Sequence, residues 1–237
     1  TVSNALNYKR GVNAATSAEI FRVAKELGYI SAPDVTKIKF VIYKRNGLII
    51  DDTPFFSLLI DGVEKECRQS GMEMVLCHLN HKDDHFEEQV DLLIHDASSA
   101  MILLGTELME EDVEIFKTAT CPFLMLDYWY WDMSFNGVLI NNADSAKVAV
   151  DYLIKKGHKE IGYLRGDFRI KAFRSREVGY MTTMKKASLE VNPDYIVTLG
   201  TTLNGAYKDM LRHLDHMEKV PTAFYADNDM IALGAMK

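Results

Sequence analysis

Between residues 40 and 226, short continuous apolar runs alternate with stretches of helical period. That alternation restricts the possible folds more than any other feature of the chain. The apolar runs are Phe40–Tyr43, Met74–Leu79, Ala100–Leu104, Pro122–Leu126, Ile161–Leu164, Tyr195–Leu199 and Thr222–Tyr225. Helices are expected at about Phe56–Ser70, Asp84–Asp96, Glu111–Ala119, Ala143–Lys156, Ser175–Leu189, Gly205–Met217 and from Asn228 onward. Within Asp84–Asp96, for instance, Phe86, Val90, Leu93 and Ile94 share one face, the spacing of an amphipathic helix. Strands that are apolar throughout must be covered on both faces, so the pattern implies a parallel sheet with helices on each side. Seven strands fit one such sheet or two.

The first thirty residues read differently. TVSNALN has the apolar spacing of a short helix. TSAEIFRVAKELGY is a second one, with Thr16 or Ser17 as its cap, Glu19 completing a capping box and Gly28 as the stop. Two helices of this length bury too little to stand alone. Charge also divides the chain. Residues 1–45 carry eight Lys or Arg against three acids, whereas the remainder carries 19 against 31. A basic head on an acidic body suits contact with a polyanion, although eight exposed charges are also an ordinary solvated surface.

Signatures of catalysis are missing from the sequence. It has no Walker phosphate loop, no G-x-G-x-x-G and no G-x-S-x-G. His81/His85 and His213/His216 have spacings that can share a helix face, but no further metal-ligand pattern accompanies them. Asp51-Asp52 and Asp227-x-Asp229 are paired carboxylates suited to hydrogen bonding a ligand. Cys67, Cys77 and Cys121 are odd in number and scattered, which fits a reducing cytosol. No apolar run approaches the ~20 residues that cross a bilayer. The expectation is a protein without catalytic residues, metal or cofactor, and without a membrane partner.

Several stretches, in a fixed order, resemble the lactose/galactose repressor family of transcriptional regulators. TVSNALN followed by GVNAATSAEIFRVAKELGYI is similar to the family's helix-turn-helix headpiece. DDTPFFSLLIDGVE, SAMILLG, INNADSAKVAVDYLIKKGHKEIGYLRG, REVGY and YADNDMIALGAMK are similar to segments of its effector sensor. The resemblance implies an α/β fold: a two-lobed, periplasmic-binding-protein-like sensor with parallel sheets, preceded by a partial all-α helix-turn-helix headpiece. It implies a headpiece remnant over 1–30, a linker or hinge remnant over 31–39 and a sensor over 40–237. The sensor's lobes would cover about 40–142 and 143–237. It also implies that the sequence starts inside the recognition helix and stops before the last strands of both lobes. The Lys44–Ile50 loop is longer than the family pattern.

The implied function is that of a cytoplasmic, sequence-specific repressor whose operator affinity is set by a small effector, a saccharide, bound between the lobes. It would act as a homodimer, with the Phe56–Ser70 helix as an interface element. Thr1, Ser3 and Asn4 would face bases or phosphates, and Asn7, Lys9 and Arg10 the DNA backbone. By the resemblance, Arg176, Asn228 and Asp229 are effector-binding. Asp127 ends a strand, where open α/β sheets place ligands. Phe55, Phe56 and the rings of Tyr128–Trp131 are stacking candidates. Arg169, Lys171 and Arg174 leave an anionic effector, a purine or a phosphosugar, as the alternative. A solute-binding protein of the same fold outside the cytoplasm is the other functional class, and the headpiece-like stretch disfavours it.

Overall fold

The computed structural model of the chain describes residues 2–6, 12–27, 35–130 and 135–237. Two helices come first, α1 (Val2–Leu6) and α2 (Ala14–Glu26), packed against each other. The cap of α2 is Asn13, whose Oδ1 accepts the Thr16 amide at 2.7 Å. The expected Thr16 or Ser17 cap is therefore corrected, and Glu19 pairs with Arg22 at 2.5 Å instead of closing a capping box. Ser3 and Asn4 lie on the exposed side of α1, opposite the buried Ala5. Thr1, Asn7, Lys9 and Arg10 lie outside the described residues. The two helices alone do not establish a DNA-binding motif.

The α/β part contains two parallel sheets. The first has five strands, β1 (Lys37–Lys44), β2 (Glu73–Asn80), β3 (Ser99–Leu104), β4 (Phe123–Leu126) and β5 (Asn136–Val138), in the order β2-β1-β3-β4-β5. Residues 37–39, expected in a linker, belong to β1. The helices α3 (Phe55–Gln69) and α4 (Phe86–Ile94) cover its two faces. Side chains alternate along β1 with the period of two that a strand imposes. Phe40 and Ile42 enter one core with Phe56 and Leu104, while Val41 and Tyr43 enter another with Leu79, Val90 and Ile94. Phe40, Val41 and Tyr43 are completely buried, each contributing roughly 1.5–3 kcal/mol by leaving water.

The second sheet has the order β7-β6-β8, built from β6 (Ile161–Gly166), β7 (Ile196–Leu199) and β8 (Ala223–Ala226). Its helices are α5 (Asn142–Lys155), α6 (Lys171–Lys186), α7 (Leu203–Leu214) and α8 (Asp229–Met236). The core begun by Phe40 and Ile42 continues into this lobe through Leu164, Val197, Leu199, Ala206 and Ile231.

Three expectations need correction. Glu111–Ala119 is not a helix but two 3-10 turns, Glu110–Asp112 and Glu114–Phe116. Asp112 turns inward, accepting the Met109 amide at 2.8 Å and Arg45 Nη1 at 2.7 Å, so the side chain that would sit on a helix face instead closes the turn. The helix expected at Ser175 begins at Lys171, because Ala172 and Phe173 are buried and hold the first turn. Strand β5 was not expected at all. It is three exposed residues with no apolar run, kept in place by backbone pairing with β4.

Candidate ligand-binding site

Each sheet reverses its strand order once, between β1 and β3 in the first and between β6 and β8 in the second. Open α/β sheets bind ligands in the crevice at such a point. Here both crevices are filled by a carboxylate of the chain itself. Glu107, just beyond β3 and completely buried, gathers the loop that follows β1. Its Oε2 accepts the amides of Arg45, Asn46 and Gly47 at 2.9–3.0 Å, and its Oε1 those of Ile49 and Ile50 at 3.1 and 3.4 Å.

In the second sheet Asp227, just beyond β8 and 1% exposed, does the same for the turn after β6. It accepts the Tyr163 hydroxyl at 2.5 Å, the Gly166 amide at 2.8 Å and Nη1 of Arg169, whose Nη2 also reaches Glu177 at 2.8 Å. Burial pushes the Asp227 carboxyl up, and the Tyr163 hydroxyl, the Arg169 charge and the Gly166 amide pull against it without cancelling the effect.

An open cavity lies elsewhere, at the end of β4 and the start of α5 and α6. It encloses about 260 Å³ and is lined by Asp127, Tyr128, Trp129, Leu139 to Ala143, Lys171, Ala172 and Ser175. Directly after strand β4 comes Asp127, which adopts a left-handed φ of 60°, a conformation that costs free energy for a residue with a Cβ and is tolerated best by Asn and Asp. Its amide donates to Val138 O at 2.8 Å and its Oδ2 accepts the Thr106 hydroxyl at 2.7 Å. Burial raises its pKa, opposed by the Thr106 bond and the charge of Arg176. Arg176, one residue past Ser175, is tied to the cavity through the lining residue Asn142: Nε donates to Asn142 Oδ1 at 2.8 Å and Nη1 to Asp227 O at 2.5 Å, with the guanidinium 5.7 Å from the Phe173 ring centroid.

The structure thus brings Asp127, Tyr128 and Trp129 to one cavity, with Arg176 holding the Asn142 that lines it. The other expected site residues are placed differently. Asn228 caps α8, its Oδ1 accepting the Ile231 amide at 2.9 Å, and Asp229 is exposed on the first turn of that helix. Phe55 keeps 44% of its surface exposed, whereas Phe56 is 5% exposed in the core and offers no face for stacking, which corrects that expectation. Adjacent positions on a helix point in directions about 100° apart, so one Phe faces out and the other in.

Tyr128 lies at the cavity with its hydroxyl buried and without a hydrogen-bond partner among the described residues, its pKa pushed up to about 12 by burial and by Glu110 and Asp112. Trp131 lies outside the described residues. The pair Asp227-x-Asp229 does not act as a unit, since Asp227 is internal. Asp51 and Asp52 also part company. Asp51 holds Lys44 at 2.5 Å, while Asp52 reaches Leu203. His81 bonds the Tyr43 hydroxyl at 3.1 Å and His85 precedes α4, so they do not share a helix face.

The cations expected beside the cleft are largely neutralised. Arg169 is held by Asp227 and Glu177. Lys171 sits 3.4 Å from Glu110 and 5.9 Å from the centroid of Trp129, both in the other lobe. Arg174 is exposed, and its Nε donates to Arg169 O at 3.4 Å. Thr106, Asn142 and Glu107 escaped the sequence reading. Asn142 stands in the INNAD run quoted above, but Glu107 is one acid among four in six residues and carries no local signal.

Comparison with known proteins agrees with this architecture. Residues 38–237 match the family described as periplasmic binding proteins and sugar binding domain of LacI family. The ribose operon repressor of Escherichia coli (strain K12) is 30% identical over 237 residues, covering 99% of this chain and 72% of the relative. The HTH-type transcriptional repressor PurR of Actinobacillus pleuropneumoniae serotype 5b (strain L20) is 27% identical over 238 residues, covering 100% and 70%.

Among solved structures, the transcriptional regulator CelR–cellobiose complex superposes with a TM-score of 0.70 at 23% identity, covering 100% of this chain and 72% of that one. The lac repressor dimer bound to operator and the anti-inducer ONPF gives 0.71 at 20% identity, covering 99% and 71%. At those identities the two structures speak for the fold alone. The sequence match over most of the chain goes further: the chain belongs to the LacI family of transcriptional regulators, and its two-sheet part is the family's periplasmic-binding-protein-like sensor.

Proposed function

We propose that this chain is the sensing part of a cytoplasmic, DNA-binding repressor whose effector is a small uncharged saccharide held at the Asp127 cavity. The carrying observation is Asp127 itself. A half-buried carboxylate in a left-handed conformation, just past a strand end, beside a cavity with a half-exposed Trp129, is an acceptor ready for hydroxyl donors next to an aromatic face. Asn141, Asn142 and Ser175 add neutral donors and acceptors. Arg176 positions Asn142, with Phe55, Asn228 and Asp229 as more distant contacts from the family pattern. The ribose operon repressor among the relatives and the cellobiose complex among the similar structures favour a sugar.

Residues 1–30 would supply part of the headpiece, with Thr1, Ser3, Asn4, Asn7, Lys9 and Arg10 toward operator DNA. Lobes of about 40–142 and 143–237 would form the sensor. A homodimer built partly on α3 would match the two halves of a palindromic operator.

Calorimetry of the intact protein against neutral sugars, sugar phosphates and purines tests the reading. Binding confined to purines or phosphates overturns the choice of saccharide. Arg176→Ala releases Asn142 and the Asp227 carbonyl together. The expected loss is roughly 2–4 kcal/mol, or about thirty- to a thousandfold in affinity. Unchanged sugar affinity in that variant would remove Arg176 from the site.

A further inference from the structure

The loop after β1 does more than fill a crevice. Its residues 45–50 are fixed by five hydrogen bonds to the two oxygens of Glu107. Ile49 and Ile50 are buried beneath it, and Gly47 supplies the left-handed φ of 75° that lets the turn close. Two residues past Ile50, Asp52 crosses to the other lobe, where its Oδ2 accepts the amide of Leu203, the first residue of α7, at 2.7 Å. That amide is one of the four a helix leaves unpaired at its start, and a carboxylate there also meets the positive end of the helix dipole. The Thr202 side chain satisfies Gly205, so Asp52 and Thr202 share the capping of α7 from opposite lobes.

We propose that residues 45–52 form a latch between the lobes, in which Glu107 is the positioning residue and Asp52 the bolt. Glu107 touches nothing in the second lobe through these bonds, yet by fixing the loop it fixes where Asp52 sits. Loss of either side chain would free the amino end of α7 and lower the population of the lobe arrangement seen here. Its effect on effector affinity rests on the proposed function above, since a ligand between the lobes gains from a preset arrangement.

Hydrogen exchange on the full, ligand-free chain tests the latch without any effector. Asp52→Ala should speed exchange of the Leu203 amide roughly five- to tenfold, the size of a lost helix cap. Asp52→Asn keeps an acceptor oxygen and should retain most of the protection. Glu107→Gln should loosen both the 46–50 amides and, at a distance, Leu203. Added to Asp52→Ala it should change Leu203 no further.

An unaltered Leu203 rate in Asp52→Ala overturns the latch, as does a Glu107→Gln effect that stops at residue 50. If Glu107→Gln does not fold, the Asp52 pair of variants decides alone. Once an effector is in hand, Asp52→Ala should weaken its affinity by up to the same factor. Altered exchange with unaltered affinity would keep the latch and count against the cavity as the effector site.

Discussion

Arg169→Met is the perturbation that most directly asks how the second lobe uses its charges. Arg169 binds Asp227, whose side chain is completely buried, and Glu177, which is about one quarter exposed. Met keeps the length and the contact with Phe173 while removing the charge, the bonds to Asp227 and Glu177 and the longer ones to Gly166 O and the Tyr163 hydroxyl. Breaking a buried pair from one side costs about 3–5 kcal/mol, because the stranded charge has lost its counterion and cannot regain water. Asp227 would still hold the Tyr163 hydroxyl and the Gly166 amide, which places the expected cost near the low end, about 3 kcal/mol. For a chain of this size that lowers the melting temperature by roughly 6–12 °C.

The pH dependence has a definite sign. Burial already raises the Asp227 pKa against Arg169, and without the cation it rises further. A carboxyl whose folded pKa is raised contributes fully below its unfolded value, and that contribution is lost as pH rises through the folded value. The deficit of the variant should therefore be smallest at acid pH and grow toward neutrality. Adding Asp227→Asn removes the stranded charge, so the double variant should melt above Arg169→Met alone. Scanning calorimetry across acid to neutral pH reads all three. A single variant melting within about 2 °C of the parent at neutral pH, or a double variant that melts lower, would refute the reasoning.

Two further substitutions probe packing and charge elsewhere. Gly179 sits where α6 crosses α5; a Cβ there would lie 2.4 Å from Ala143 O and 2.7 Å from the Ala146 Cβ. Gly179→Ala should cost about 1–3 kcal/mol by forcing the helices apart, despite the better helix propensity of Ala, and a denaturant midpoint at or above the parent's would show that they yield. Asp96 resists burial, but bonds from Lys39, Ser98 and Ser99 outweigh it and hold the carboxyl well below its ordinary range. Asp96→Asn should cost roughly 1–2 kcal/mol near neutrality. A depressed carboxyl stabilises above its unfolded pKa and loses that contribution as pH falls through the folded one, so urea titrations should show the two proteins converging below about pH 4.

Most strands were legible because they carry a continuous apolar run, as β1 and β3 do by burying both faces; the edge strand β2 keeps such a run although Leu76 is exposed. Strand β5 has no such run; its position comes from β4 and from Val138 accepting the Asp127 amide. Boundaries failed where a side chain's partner lies far along the chain. Asp112 breaks the expected 111–119 helix by bonding Arg45, and no local window contains both residues. The site was half legible for the same reason. Asp127 and the rings after it are contiguous and end a strand, so they announce themselves. Asn142 and Arg176 are 34 residues apart, and Glu107 meets its loop across 57 to 62 residues. Phe55 and Phe56 illustrate the remaining loss: composition marks both as stackers, but only helix phase decides which one faces out.

The two internal carboxylates also bear on what the protein can recognise. In each lobe the crevice at the strand reversal is closed by the chain's own anion, Glu107 on one side and Asp227 on the other. Each takes the backbone amides that an anionic ligand would need. Arg169, the cation best placed to receive such a ligand, is already committed to Asp227 and Glu177. Binding an anion at either crevice would require expelling a buried carboxylate that has nowhere comparable to go. The Asp127 cavity is open, and there the Asp127 carboxylate accepts the Thr106 hydroxyl while Lys171 is shared with Glu110 and Trp129. Under the function proposed above, such a site would reward hydroxyl donors and an apolar ring face and repel added negative charge, which is the argument for a neutral saccharide over a phosphorylated one.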